Sequence, residues 1–478
     1  MRIPGAIGPS YTLSTIPLDC QESINFFPEM DEMGTGKDQS PGALVSRPGL
    51  TKVCNLPQGP VRGLWRESSS GRVFAVGGNG LYEISSTWNT TLLGTLGTSF
   101  GTVSMSDNGV QLMIVDGPFG YILTLGTNVF SAIGDSGFYG SKSVQFIDGY
   151  FVLVRPDTNQ FYLSNLYDGL TYNALYFASA EASPDPTVTT LPFHDQLVVF
   201  GSQTAQFYYD SGDTFPFTQI QGSLVEHGCG SPYTVAKNGE QMFWLGEDSY
   251  GFGVVYKAIG YQAMRGSNYG TELAFQGYGD ISDATAFMFQ ARGHSFYVLN
   301  FTGADSTWAM DVGTGQWFEW KSINSMTQLG RWRANTHCFG FNKHIVGDFE
   351  DTRIYVLDFA NFTDDGKVMV RRRRFPHISA NLKRLLHSKF QLDAKVGVGT
   401  DGTDQGQQPT VMLRYSDDGG LNWSNEKWGQ LGRIGQTLTR TIWRRLGYSR
   451  NRVYEVTVTD PVDFAIIGVD LDATPGAS

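Results

Sequence analysis

The chain has 478 residues, 41% of them hydrophobic and 17% charged, with a net charge of −11, and is long enough for two or three domains with sizeable cores. Four cysteines without CxxC spacing exclude a disulfide framework and read as small buried thiols of a chain folded in a reducing cytosol. No apolar run approaches the roughly 20 residues that span a bilayer, and the N-terminus, broken by Pro4 and Gly5, does not read as a signal peptide.

Residues 1–58 form a leader in which six prolines, from Pro4 to Pro48, interrupt regular structure. It is expected to be a partly irregular arm, with a polar, Gly-rich loop from Met30 to Gly42. Its last part, ALVSRPGLTKV, is suited to supply a strand to a neighbouring sheet.

Seven similar units follow. Each has an alternating apolar run, a turn rich in Gly, Asp or Asn, and a second run ending in aromatics, as in GRVFAVGGNGLYEI and DGYFVLVRPDTNQFYLS. They start at 71, 109, 148, 195, 240, 293 and 342, spacings of 38 to 53 residues. A recurrence of about 40 to 50 residues of short strands is the mark of a β-propeller, in which radially packed blades bury faces that a lone hairpin leaves wet. A large sandwich or barrel is the competing architecture. The segment Tyr167–Phe193 is longer than a connector needs and is expected to project as a loop.

Composition changes at about Thr363. Between Lys367 and Val453, 17 Lys and Arg face 6 Asp and Glu, a local charge of +11 that leaves −22 for the rest of the chain. Such a split points to an anionic partner for the basic part: nucleic acid, another subunit, or the acidic body of a second copy. The reading is therefore all-β: an N-terminal arm (1–58), a β-propeller of about seven blades (59–363) and a basic β-sandwich-like module (364–478).

Within that module Arg371, Arg372, Arg373 and Arg374 are consecutive. In a strand, Arg371 and Arg373 share one face and Arg372 and Arg374 the other. With Arg440, Arg444 and Arg445 they are the candidate interface residues, set against plain solvation and contact with DNA phosphates. YSDDGGLNWS matches an Asp-box turn at Ser416, Asp418, Gly420 and Trp423 and departs from it at Asn422; that motif builds a hairpin and carries no catalysis. Seven histidines show no HExxH or paired spacing, and no P-loop, dinucleotide fingerprint or nucleophile elbow is present, so no enzyme activity, metal or cofactor is predicted.

The leader QESINFFPE with RPGL, then FYLSNLYDGLTYNALYFASAEASPDP, VVFGSQTAQFYYDSGDTFPFTQIQG, HGCGSPYTVA and RTIWRRLGYSRNRVYEV together resemble the tail hub, or nozzle, proteins of short-tailed bacteriophages, also called packaged-DNA stabilisation proteins. The resemblance implies a structural virion protein, assembled in the host cytoplasm. It implies a homohexameric ring below the portal and its adaptor or head-completion protein that closes the DNA channel and retains DNA. Attachment of needle, spike or fibre proteins and passage of genomic DNA without sequence specificity follow from the same resemblance. The alternative is a glycan-binding or sialidase-like propeller, which requires three arginines gripping a carboxylate beside a Tyr/Glu pair.

Overall fold

A computed structural model describes residues 2–34, 40–180, 185–248, 250–381, 383–402 and 405–476. The middle of the Met30–Gly42 stretch lies outside the described residues. Seven four-stranded antiparallel blades form the propeller. Blades 1 to 5 begin at Val61, Ser104, Val144, Thr187 and Ala236, and blades 6 and 7 at Thr285 and Ala334. The seven hairpins legible in the sequence are the two middle strands of each blade, for instance Gln111–Val115 with Gly120–Thr124 in blade 2.

Strict alternation explains the packing. In blade 2, Leu112 and Ile114 join blade 1's Phe74, Val76 and Leu81. Met113 and Val115, on the opposite face of the same strand, join blade 3's Phe151 and Leu153. Similar clusters link blade 3 to 4, 4 to 5, 5 to 6 and 7 to 1. Each blade is thus buried on two faces, and at about 25 cal/mol per Å² of apolar area these interfaces supply most of the driving force.

The N-terminal arm is not a body of its own. Gly49–Asn55 pairs antiparallel with Arg353–Asp358 as the fourth strand of blade 7, with Thr363–Asp364 pairing beyond it, so an early strand closes the ring on a late one. Gly49 permits the approach, because a Cβ there would lie 2.4 Å from the Asn361 carbonyl oxygen. Phe26–Met30 and Gly42–Ser46 instead enter a six-stranded sheet with Ala465–Pro475, Leu385–Ala394 and Thr441–Arg444. Cys20–Ile24 lies between Gln316–Glu319 of blade 6 and Arg371–Arg374. Through it blade 6 continues into an eleven-stranded sheet that includes Asn451–Val458, Thr410–Ser416 and Lys427–Gln430. These two sheets form the sandwich, so both ends of the chain build it. One cluster runs without a break from Phe287 and Trp332 in the propeller through Phe26 and Phe27 to Phe375, Phe390 and Val469.

The segment Tyr167–Phe193 is not a free loop. Asp168–Ser179 is the outer strand of blade 3 and Thr187–Phe193 the inner strand of blade 4. Residues 181–184 lie outside the described residues; among the described ones Asn173–Tyr176 bulges out, between the pairs Ser164↔Tyr172 and Tyr162↔Phe177, leaving Leu175 77% exposed.

Candidate functional site

The sequence placed its candidate interface on the arginine run. Arg371–Arg374 is an interior strand, paired on one side with Cys20–Ile24 and on the other with Asn451–Val458. Its two faces separate as alternation requires. Arg371 and Arg373 are fully buried. Arg373 Nε donates to the Ala6 carbonyl at 3.1 Å, Nη1 to Pro9 O and Ser23 Oγ at 3.0 and 2.9 Å, and Nη2 to Gly5 O and Gln21 Oε1, both at 2.7 Å. None of these acceptors is a carboxylate. Desolvation therefore dominates and lowers the guanidinium to about 9. Arg371 reaches the carbonyls of Asp460 and Val462, and burial lowers it to about 10.

On the other face, Arg374 lies 3.2 Å from Glu22 and 3.0 Å from Glu455; Arg372 faces the same two acids at 3.7 and 3.6 Å. Arg414 donates to Glu455 at 2.6 Å. The fully buried Glu455 thus serves three guanidiniums, and the Trp423 ring stacks against Arg374 and Arg414 at 5.0 and 4.8 Å. The expectation that this run faces another subunit is corrected here for Arg371 and Arg373, whose guanidiniums are buried and bonded within the chain, all donors of Arg373 and the Nη groups of Arg371. Three of the five other expected positions contrast with these two. Arg440, Arg444 and Arg445 are exposed, and none has an ion pair among the described residues.

The Asp-box turn supports the same joint. Asp418 accepts from the Leu421 and Asn422 amides and, in place of the usual Thr or Ser contact, from the Asn422 side chain at 2.6 Å; Ser416 donates to it at 2.7 Å. These bonds hold its carboxyl down at about 2. Gly420 has φ of +99° and packs against Cys20 and Ile16, so the turn clamps the N-terminal arm. His377 Nε2 lies 3.0 Å from Ile16 O and 3.5 Å from Cys20 Sγ, with Asn451 at Nδ1. Cys–His–Asn is a nucleophile's residue set, but Cys20 is 1% exposed and burial pushes its thiol up to about 11, which removes the thiolate.

Sequence reasoning missed Arg47. It donates to both oxygens of Asp364 at 3.0 and 2.6 Å and to Asn25 at 2.7 Å, while Asn25 donates to the Lys321 and Val370 carbonyls. Both members of the pair are buried, so this bidentate contact ties arm, propeller and sandwich at one point. Pro48 after Arg47 was visible; the partner 317 residues away was not.

The propeller's mouth brings three arginines near one another, as a sialidase-like site would. Arg62 lines a cavity of about 380 Å³ with Asn335 and Phe349, and Arg331 and Arg333 lie over Phe349. All three are engaged. Arg62 donates to four backbone carbonyls and Thr98, Arg331 to Thr302 and Asn335, and Arg333 to Asp348 and Glu350. The axial cavity, about 250 Å³, is lined by uncharged residues such as Ser104, Gln145 and Thr190 together with His337. Among the described residues there is no group of His, Cys, Asp and Glu arranged to hold a metal.

Family models decide the relationship. One, described as bacteriophage P22 Gp10, beta-propeller, matches residues 17–361; another, bacteriophage P22 Gp10, beta-sandwich, matches 371–474. The chain belongs to the Gp10 family. It is a structural bacteriophage protein of the virion, with a β-propeller and a C-terminal β-sandwich, as its two matched regions state. No curated protein matches the chain. Among solved structures, the WD40 propeller domain of Doa1 is 12% identical over 64% of this chain and 97% of its own, with a TM-score of 0.41. The N-terminal domain of Nup159 is 10% identical over 70% and 98%, TM-score 0.43. The extracellular domain of the two component system BT4673 from B. thetaiotaomicron is 10% identical, TM-score 0.43; the match covers 65% of this chain and 40% of that one.

Proposed function

We propose that this Gp10-family chain is a non-catalytic wall segment of a tail hub, or nozzle: a homohexameric ring below the portal and its adaptor. The ring closes the DNA channel, retains packaged DNA and offers attachment sites for needle, spike or fibre proteins. The observation that carries the reading is the joint. Blade 6, the N-terminal arm and the sandwich share one eleven-stranded sheet, and one apolar cluster runs through all three. A propeller and a sandwich joined by continuous sheet and core behave as one stiff block, whereas domains on linkers move independently. Stiffness suits a part that must hold pressurised DNA.

The propeller axis is too narrow for a duplex. Its cavity of about 250 Å³ is a few side chains across. DNA therefore passes between subunits, along an acidic wall that repels phosphate and allows sliding. Negative-stain imaging of the purified chain tests the proposal. Six-fold rings are expected; a monomer whose melting temperature rises with an anionic sugar supports the glycan-binding alternative instead.

A further inference from the structure

Among the described residues, each of the two charged halves of the molecule carries one surface whose charges form no ion pair within the chain. The first is the outer edge of the sandwich. Thr441–Arg444 and Lys427–Gln430 are the terminal strands of its two sheets, and they are fastened side by side. Thr441 Oγ1 donates to Gln430 O at 2.8 Å, and Trp443 Nε1 to Lys427 O at 2.9 Å. This edge exposes Lys427, Arg440, Arg444 and Arg445. Among them stand Trp428, 64% exposed, and Leu438, 92% exposed. Open strand edges with large apolar side chains are what folded chains usually cover.

The second surface lies on blades 3 and 4, across the ring from blades 6 and 7, which carry the sandwich. The turns after Ile147 and Phe193 and the end of the strand Ala205–Asp210 place Asp148, Asp195 and Asp210 on one face, all exposed. None has an ion pair among the described residues. Burial, and then the charges of Asp210 and Asp195, raise the Asp148 carboxyl above its ordinary value, so the three acids repel one another. Leu166, Tyr167 and Tyr209 flank them at 56%, 65% and 44% exposure. Each surface thus offers what the other lacks: cations with apolar side chains on one, anions with aromatics on the other.

We propose that the basic edge of the sandwich docks on the acidic face of blades 3 and 4 of a second copy. The two surfaces are distinct and sit on opposite sides of one chain, so the contact is heterologous, and a heterologous contact closes into a ring when its rotation permits. Charge complementarity selects the partner and the apolar side chains supply the buried area. The inference rests on the ring reading above and adds which surfaces make the ring.

Four full-length chains test it by mass photometry at low and high salt, with circular dichroism to check the fold: wild type, R444E/R445E, D195K/D210K, and the quadruple variant. Every substituted side chain is exposed. Each reversal is expected to weaken self-association by about 100-fold, the scale of unfavourable like-charge contact at an interface. The quadruple variant is expected to recover rings, and equimolar mixing of the two doubles to recover them as alternating rings, in which every contact pairs opposite charges. Rings from either double variant equal to those of wild type would overturn the docking but leave the ring reading standing. A wild type that stays monomeric at every salt concentration would overturn both. If R444E/R445E keeps its rings and loses binding to duplex DNA, the edge is a nucleic-acid surface and the docking is wrong.

Discussion

Replacing Arg373 with Ala gives the strongest internal test of the joint. The guanidinium makes five hydrogen bonds to residues 5–23. Hydrogen bonds to a charged donor contribute about 1.5–3 kcal/mol each. The gross sum is never recovered, because taking the cation out of water costs several kcal/mol. Breaking such a buried network typically costs about 3–5 kcal/mol, here because the Gly5, Ala6 and Pro9 carbonyls lose their donor. The loss falls on the arm. Amide exchange in Cys20–Ile24, followed by mass spectrometry, is therefore expected to accelerate by two to nearly four orders of magnitude, at about 1.4 kcal/mol per decade. Arg444→Ala, at an exposed edge, is expected to leave the same amides unchanged within about 0.5 kcal/mol. Protection in the Arg373 variant within tenfold of wild type would refute the reasoning.

Three further outcomes follow from the same structure. Arg47→Ala strands the buried Asp364 and is expected to cost about 3–5 kcal/mol in denaturant unfolding, with Arg47→Lys recovering only part of it because a lysine cannot form the fork. Leu50→Ala, at a fully buried position of the ring-closing strand, is expected to cost about 2–5 kcal/mol and to expose the seam between blades 7 and 1 to protease; an unchanged digest speaks against closure by that strand. Burial, and then Arg452, lowers the fully buried His387 to about 4, and burial beside His344 lowers His337 to about 3. The folded state then binds fewer protons than the unfolded chain, so stability is complete above about pH 6.5 and declines toward pH 4, by up to about 1.4 kcal/mol per pH unit for each histidine. Melting temperatures across that interval that do not fall would contradict these burials.

Residues such as Leu112 and Met113 show why the propeller was legible. Alternation places one side chain of each adjacent pair against either neighbouring blade, and that pattern survives in the sequence because every blade repeats it. Only the middle strands carry it cleanly. The outer strands, such as Thr90–Thr95, face solvent and lose the apolar signal, so each four-strand blade read as a hairpin. Alternation also divided the four arginines correctly between two faces. Their surroundings were not legible, because three of the five acceptors of Arg373 are backbone carbonyls about 365 residues earlier, and a carbonyl leaves no trace in residue type. The same holds for Arg47 and Asp364. Tyr167–Phe193 misled for a different reason: its prolines and exposed Leu175 look like a loop, while a four-residue bulge keeps Leu175 within an outer strand and Pro192 lies in the inner strand of blade 4.

The most direct measurement is a cryo-electron microscopy reconstruction of the purified full-length chain. The account predicts a closed ring whose central opening admits a duplex, with an acidic lumen formed between subunits and each propeller axis closed to DNA. A reconstruction showing isolated monomers, or a ring with a net basic lumen, would contradict it.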